Sequence, residues 1–325
     1  MFSPNRGLRK ASIADINNVS APANSWSVEI STEFGGYKNF LSTNVQNGRR
    51  SAKIDGSPVN SLSKFSEILW LLWVVPDMDG IFINSMSDRR SFLDHLVGGF
   101  DPRHRSRLKK LLTLQQERLQ VMLRYRDERW VRVLEQNIAE ESIKVTKSRL
   151  EFIEQLEKIF AQHPSKFLRP RVAISGMVED IFANFREEDA MLELMEKLQQ
   201  NRTTDFERQT TSIGVYKTRW DVMKNSLDAE NCSTGEQKAF LISLILGAMR
   251  IYKSRLSGTP ILLLDDLMMH LDQTRRGNLS EELLQLDVQT FLSGTDEYLF
   301  RDFAERAQFF HVQKSMCQCI NKKSF

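Results

Sequence analysis

The sequence predicts an α/β protein in which a parallel or mixed sheet, flanked by helices, is split by an inserted helical arm. Three observations predict it. Two aliphatic runs of strand length, Ile68 to Val75 and Ile261 to Leu264, end abruptly at Pro76 and Asp265. From Glu236 onward the pattern alternates: helix to about Lys253, strand Ile261 to Leu264, helix Arg275 to Leu286, strand Val288 to Leu292. Strand, helix, strand at that spacing implies parallel strands with helices on their faces. Between about 101 and 205, Leu108, Leu111, Leu112, Leu119 and Met122, then Leu150, Ile153, Leu156 and Phe160, recur at steps near three, four and seven. That is the apolar stripe of an amphipathic helical hairpin.

Taken in order, residues 1–95 read as the first part of the lobe. Val28 to Ile30 and Lys53 to Ile54 are short strands beside the turns Asn47-Gly48 and Asp55-Gly56-Ser57-Pro58. Ile68 to Val75 is a buried strand. Residues 96–205 form the arm. Asp101-Pro102 is expected to start its first helix, with an acceptor at the cap and proline in the first turn. The hairpin ends at His163-Pro164. A strand-like interval, Leu168 to Ile174, and a helix from Glu187 to Gln200 follow. The arm buries a narrow stripe, which leaves a polar face for DNA or protein. Residues 206–325 complete the lobe.

Hydrophobic content is 41%, charged content 27% and net charge +3, values of a globular protein that neither require nor exclude nucleic acid. The longest apolar run is about one third of a bilayer span, so no membrane association is expected. The opening residues show no signal sequence. Three cysteines cannot close into disulfides, and Cys317 and Cys319 read as free thiols. A reducing cytoplasm is expected.

Ser233-Thr234-Gly235-Glu236-Gln237-Lys238 is a capping box, serine at the cap and glutamate three residues on. It is either a helix cap alone or an anion site built on that helix N-terminus. Ile261 to Leu264 leads into Asp265-Asp266. Adjacent carboxylates at the carboxyl end of a parallel strand are either a solvated loop or a pair that holds Mg²⁺ and activates water. Asp272 can cap the helix that follows, and Ser293-Gly294-Thr295-Asp296 ends the next strand on the same edge. Two basic runs, Arg103 to Lys110 and Arg124 to Arg132, are solvated helix faces or DNA contacts; Arg105, Lys109 and Lys110 are the DNA candidates.

The order of these pieces resembles the second half of an ABC-type ATPase. Within that class the chain resembles the RecF family in its alphaproteobacterial form. The motifs are Ser233 to Ala239, Leu263 to Asp266, His270-Leu271-Asp272 with Arg275-Arg276, Ser293 to Asp296, Ser3 to Arg9, Pro76 to Asp79 and Arg89 to Asp94. The resemblance implies ATP and Mg²⁺ as cofactors. Asp265 is then the Mg²⁺ ligand and Asp266 the hydrolytic acid. Ser233, Gly235, Gln237 and Asp272 belong to the nucleotide-binding set. The signature loop at Ser233 reaches a partner subunit's γ-phosphate, in an ATP-dependent homodimer. DNA at single-strand/double-strand junctions, in gap repair and the SOS response, and the RecR and RecO proteins are the implied partners.

The family's Walker A loop, G-x-x-x-x-G-K-[ST], is not found in these 325 residues. The resemblance places it, with two opening strands, just ahead of Ser3, and a chain without it is expected to bind ATP weakly. Arg219 also stands where the family has an acid. Two alternatives therefore stand beside the repair ATPase: an inactive remnant of it, or another chromosome-maintenance ATPase. The short arm argues against the long-coil members of that class.

Overall fold

A computed structural model describes residue 16 and residues 25–34, 36–125, 127–255, 259–314 and 316–320. The Ser3 to Arg9 motif lies outside the described residues. Along the chain run strands β1 (Trp26–Phe34), β2 (Tyr37–Gln46), β3 (Arg49–Ile54), β4 (Ser57–Pro58) and β5 (Leu69–Val74). Helices α1 (Met86–Phe100), α2 (His104–Gln120) and α3 (Glu128–Gln162) follow. Next come β6 (Arg171–Ser175), α4 (Met177–Asn184), α5 (Glu187–Gln200), α6 (Arg202–Arg208), β7 (Arg219–Lys224) and β8 (Leu227–Asp228). The chain continues through α7 (Thr234–Arg255), β9 (Thr259–Leu264), α8 (Gln273–Leu286), β10 (Gln289–Leu292), β11 (Phe309–Gln313) and β12 (Met316–Ile320).

These elements fall into two compact units. The first takes its described residues from Met1–Met78, Ser165–Phe167 and Leu256–Phe325; the second comprises Asp79–Pro164 and Leu168–Arg255.

In the first unit β1 to β4 form an antiparallel meander. Two of its hairpins turn on two residues, Asn47-Gly48 and Asp55-Gly56, all at φ between 48° and 80°. Such turns require left-handed backbone at both positions, which Asn-Gly and Asp-Gly tolerate best. Beside it, β10-β9-β5 form a parallel sheet, with Leu71 opposite Ile261 and Phe291 opposite Leu263. Leu41, Ala52, Phe65 and Leu69 make the core here, and Ile261 packs against them. A hairpin of β11 and β12 carries the exposed Cys317 and Cys319.

The second unit is largely helical, with a small sheet of β6, β7 and β8. Leu111 of α2, Ile138 and Ile143 of α3, Val178 of α4 and Leu194 and Leu198 of α5 share one core. Helix α7 is buried along almost its whole length, from Ala239 to Tyr252. The hairpin expected from periodicity is present as α2 and α3, joined by a π-helical turn at Val121–Tyr125.

Two expectations are corrected. Asp101 does not cap an arm helix. It follows α1 as its C-cap, and α2 starts at His104. The Asp101 side chain instead accepts the Arg103 N–H at 3.0 Å and bonds Ser148 at 2.6 Å, so the acceptor that suggested a cap is spent across the arm. Helix α1 arises in a stretch to which the sequence pattern assigned no element. Its signal was present: Ser85 accepts the Asp88 N–H, and Phe92, Leu93, Leu96, Val97 and Phe100 line its buried face. The stripe of the arm is also less purely apolar than its spacing implies. Fully buried Arg118 reaches Glu135 at 3.0 Å, Asp205 at 2.7 Å and the Leu198 carbonyl at 2.8 Å, tying α2 to α3, α5 and α6.

Candidate nucleotide site

The candidate residues lie partly in each unit. In the first, β9 delivers Asp265 and Asp266 to the carboxyl edge of the parallel sheet. The Asp265 N–H extends the β5 ladder by bonding the Val74 carbonyl at 2.9 Å. Asp266 then turns left-handed, at φ 52° and ψ 11°, a conformation that aspartate and asparagine tolerate better than most residues. Next along the sheet, Ser293 donates its N–H to the Leu264 carbonyl at 3.0 Å. Its hydroxyl donates to Asp265 and accepts the Asp266 N–H at 3.4 Å. One hydroxyl thus braces both members of the acid pair. No lysine, arginine or histidine forms an ion pair with either carboxylate among the described residues.

Asp272 caps α8, accepting the Arg275 N–H at 2.8 Å. Arg276 donates to the Leu271 carbonyl at 3.2 Å, closing the turn between the acid pair and that helix. Thr295 and Met269 approach to 3.7 Å, which brings the loop after β10 to the loop after β9.

In the second unit Ser233 opens α7. Its hydroxyl accepts the Glu236 N–H at 3.4 Å, and Glu236 accepts in return from the Ser233 N–H at 3.0 Å and from its hydroxyl at 2.9 Å. Lys224 joins at 2.5 Å, and Lys224 with Ser233 draws the Glu236 pKa down to about 2. Gln237 is buried, and its amide nitrogen donates to the carbonyls of Ala229 at 3.0 Å and Cys232 at 3.1 Å. This amide shapes the loop ahead of the serine. Lys238 pairs with Asp79 at 2.8 Å, which joins two of the sequence motifs. Gly235 leaves the first turn of α7 without a side chain at the position after Thr234.

The motif Arg89 to Asp94 turns out to organise the same unit. Arg89 is buried, donates to the Trp220 carbonyl at 3.0 Å and faces Asp228 and Glu230. Asp94 takes two of the three Arg149 nitrogens, at 2.8 and 2.9 Å, and lies 2.8 Å from His104. Burial pushes its carboxyl up, but Arg149 and His104 outweigh burial and hold it below the usual range. Arg219, where the family pattern has an acid, binds Asp221 and, at 3.1 Å, Asp228.

The DNA candidates differ among themselves. Lys109 is exposed. Lys110 is held by Glu141 at 2.8 Å. Arg105 is half-buried, and burial lowers its pKa. Arg103, Arg107, Lys110 and Lys144 line a shallow depression of about 340 Å³ with Glu141. The cluster was not read from sequence, because Lys144 lies on the opposite helix of the hairpin.

A solved structure of the recombination mediator protein RecF with ATPrS, from the RecFOR pathway, matches 98% of this chain and 86% of its own, at 18% identity and TM-score 0.81. One of RecF with ATP gives 18% identity and TM-score 0.79. The fold shared with them is the ABC-type ATPase fold, a parallel sheet with flanking helices. No protein-family profile matches the chain. The DNA replication and repair protein RecF of Rickettsia bellii is 35% identical over 315 residues, 95% of this chain and 86% of that protein. Its counterpart in Rhizobium etli is 33% identical over 321 residues, 96% of this chain and 85% of that protein. The chain belongs to the RecF family of DNA replication and repair proteins.

Proposed function

We propose that this RecF-like protein acts in gap repair as an ATP-dependent clamp at single-strand/double-strand DNA junctions, in the cytoplasm at the nucleoid, with RecR and RecO proteins as partners. The observation that carries the reading is the acid pair: two carboxylates without cationic partners among the described residues, braced by one serine, at the edge where parallel sheets bind ligands. The donor set fits Mg²⁺, which prefers hard oxygen ligands and keeps waters and phosphate oxygens in its shell. Asp265 would hold the ion and Asp266 would orient and deprotonate the attacking water. The ion, once bound, supplies charge neutralisation at the transferring phosphoryl group. Ser233 and the free N–H groups of α7 offer an anion seat, and a second subunit's nucleotide would fill it. The basic depression on the arm fits the DNA backbone, to which lysine and arginine bind without reading sequence.

The test uses the 325-residue chain beside a chimera that carries the family's two opening strands and Walker A loop ahead of Ser3. The chain itself contains no G-x-x-x-x-G-K-[ST]. It is expected to bind ATP at least about 100-fold more weakly than the chimera, a loss of about 2.7 kcal/mol. In the chimera, gapped DNA should stimulate hydrolysis. Asp266→Asn should abolish hydrolysis while ATP binding persists, because asparagine keeps the left-handed turn and removes only the acid. A chimera whose Asp266→Asn form hydrolyses ATP normally would remove the acid pair from the mechanism.

A further inference from the structure

The second unit contains a cavity of about 510 Å³ that none of the nucleotide or DNA residues line. Its wall is aliphatic, formed by Leu108, Leu112 and Leu119 of α2. Leu112 is 57% exposed, large for a leucine on a helix whose other face is core. The rest of the lining is mostly polar and includes Arg90, Asp94, Gln115 and Thr211. Thr211 is only 6% exposed, and its hydroxyl has no hydrogen-bond partner. The Gln115 amide nitrogen is buried and also without an acceptor. Arg90 of α1 gives one N–H to the Thr218 carbonyl at 3.2 Å and has no carboxylate partner among the described residues. Asp94, the acid whose charge acts on Arg90, is already held by Arg149 and His104.

Buried donors without acceptors are costly, and native proteins rarely keep several together. Here two, the Gln115 amide and the Thr211 hydroxyl, line one cavity with the Arg90 guanidinium and an apolar wall. An anionic oxygen satisfies such donors best, because a charged acceptor roughly doubles the strength of each bond. The wall requires an apolar side chain next to that oxygen. We propose that this cavity is a docking site for a peptide segment of a protein partner in which a carboxylate adjoins a large apolar residue. Arg90, Gln115 and Thr211 receive the carboxylate, and Leu108, Leu112 and Leu119 receive the apolar side chain. The cavity volume matches those that enclose a ligand of a few residues. DNA fits poorly, since its backbone brings charge without an apolar group. The basic depression lined by Arg103, Arg107, Lys110 and Lys144 shows what a phosphate surface looks like on the same arm. The proposal stands apart from the nucleotide reading and uses none of its residues.

The experiment is fluorescence anisotropy on the full chain with a short labelled peptide ending in Asp-Asp-Leu-Phe. Saturable micromolar binding is expected. Leu112→Asp, on the exposed wall, and Arg90→Glu, at the rim, should each weaken it at least about 10-fold. Lys158→Ala, an exposed cation outside the lining, should leave it unchanged. Circular dichroism melts confirm that each variant is folded. If Arg90→Glu unfolds, Leu112→Asp decides alone. Failure to saturate at millimolar peptide, or equal affinity in the wild type and Leu112→Asp, overturns the proposal. So does displacement of the peptide by a duplex oligonucleotide, which would assign the cavity to DNA.

Discussion

His95 lies on α1 with its Nε2 atom closed off from solvent. Burial, reinforced by the positive charge of Arg105, pushes its pKa down from 6.5 to about 4. Between those values the unfolded chain binds a proton that the folded chain refuses. Stability conferred by the neutral ring is therefore complete above about pH 6.5 and is lost as pH falls toward 4, up to about 3 kcal/mol at the lower end. Asp94 and Asp101 have the same sign, since their pKa values are also lowered, but their contribution fades only in stronger acid. Urea midpoints measured from pH 7 to 4 should decline in the wild type and decline less steeply in His95→Leu. Equal slopes would show that the ring is solvated. The acid pair contrasts with these spent groups: Asp265 and Asp266 touch a serine and backbone, and no cation pairs with them among the described residues.

Helices α1 and α7 meet so closely that a side chain at Gly99 has no room. A Cβ there would lie 2.2 Å from the Tyr252 ring, whose hydroxyl donates to the Leu96 carbonyl at 2.6 Å. Gly98, its neighbour on the same helix, has nothing within 4 Å of that position. The two glycines therefore separate propensity from packing. Gly98→Ala should stabilise by up to about 1 kcal/mol through helix propensity. Gly99→Ala carries the same propensity gain but must displace Tyr252, and should destabilise by about 1–3 kcal/mol. Thermal melts of the pair check this; similar melting temperatures would mean that α1 and α7 pack more loosely. The same approach recurs where Gly247 of α7 meets Leu156 and Phe160 of α3. Helix α7, which presents Ser233, is thus clamped by two neighbours along its buried length.

For the molecule as a whole, a net charge of +3 provides little general attraction to DNA, so binding must rest on local clusters. Of the three DNA candidates, Lys110 is engaged with Glu141 and Arg105 is half-buried. Lys109 is exposed and has no ion pair among the described residues. If it contacts a phosphate, Lys109→Ala should weaken binding to every duplex alike. It should also lower the slope of log affinity against log salt by about 1. Anisotropy across a salt series measures both. An unchanged slope would return Lys109 to a solvated face. Among the described residues no helix is long and apolar enough to cross a membrane.

The sequence by itself determined the parts whose signals are local. The Asn-Gly and Asp-Gly turns, the aliphatic strands β5 and β9, the capping box at Ser233 and the cap at Asp272 each involve residues within a few positions of one another. Short-range hydrogen bonding and backbone preference suffice to specify them. The order of those motifs was enough to suggest the ABC-type class and the RecF family. Tertiary structure decided what depends on residues far apart. Asp101 looked like a cap because its distant partner, Ser148, cannot be seen from neighbours. Ser293 joined the acid pair only once parallel pairing set β10 beside β9. Gln237 was read with the nucleotide residues, while its burial and its bonds to Ala229 and Cys232 became visible only in the folded loop. Folding buries Arg118 and Arg149 against matched acids, Asp94 among them, because only a complete set of partners offsets the desolvation of a buried ion. The donor-lined cavity is of the same kind: Arg90, Gln115 and Thr211 lie on separate elements, and nothing in their spacing announces that they face one space.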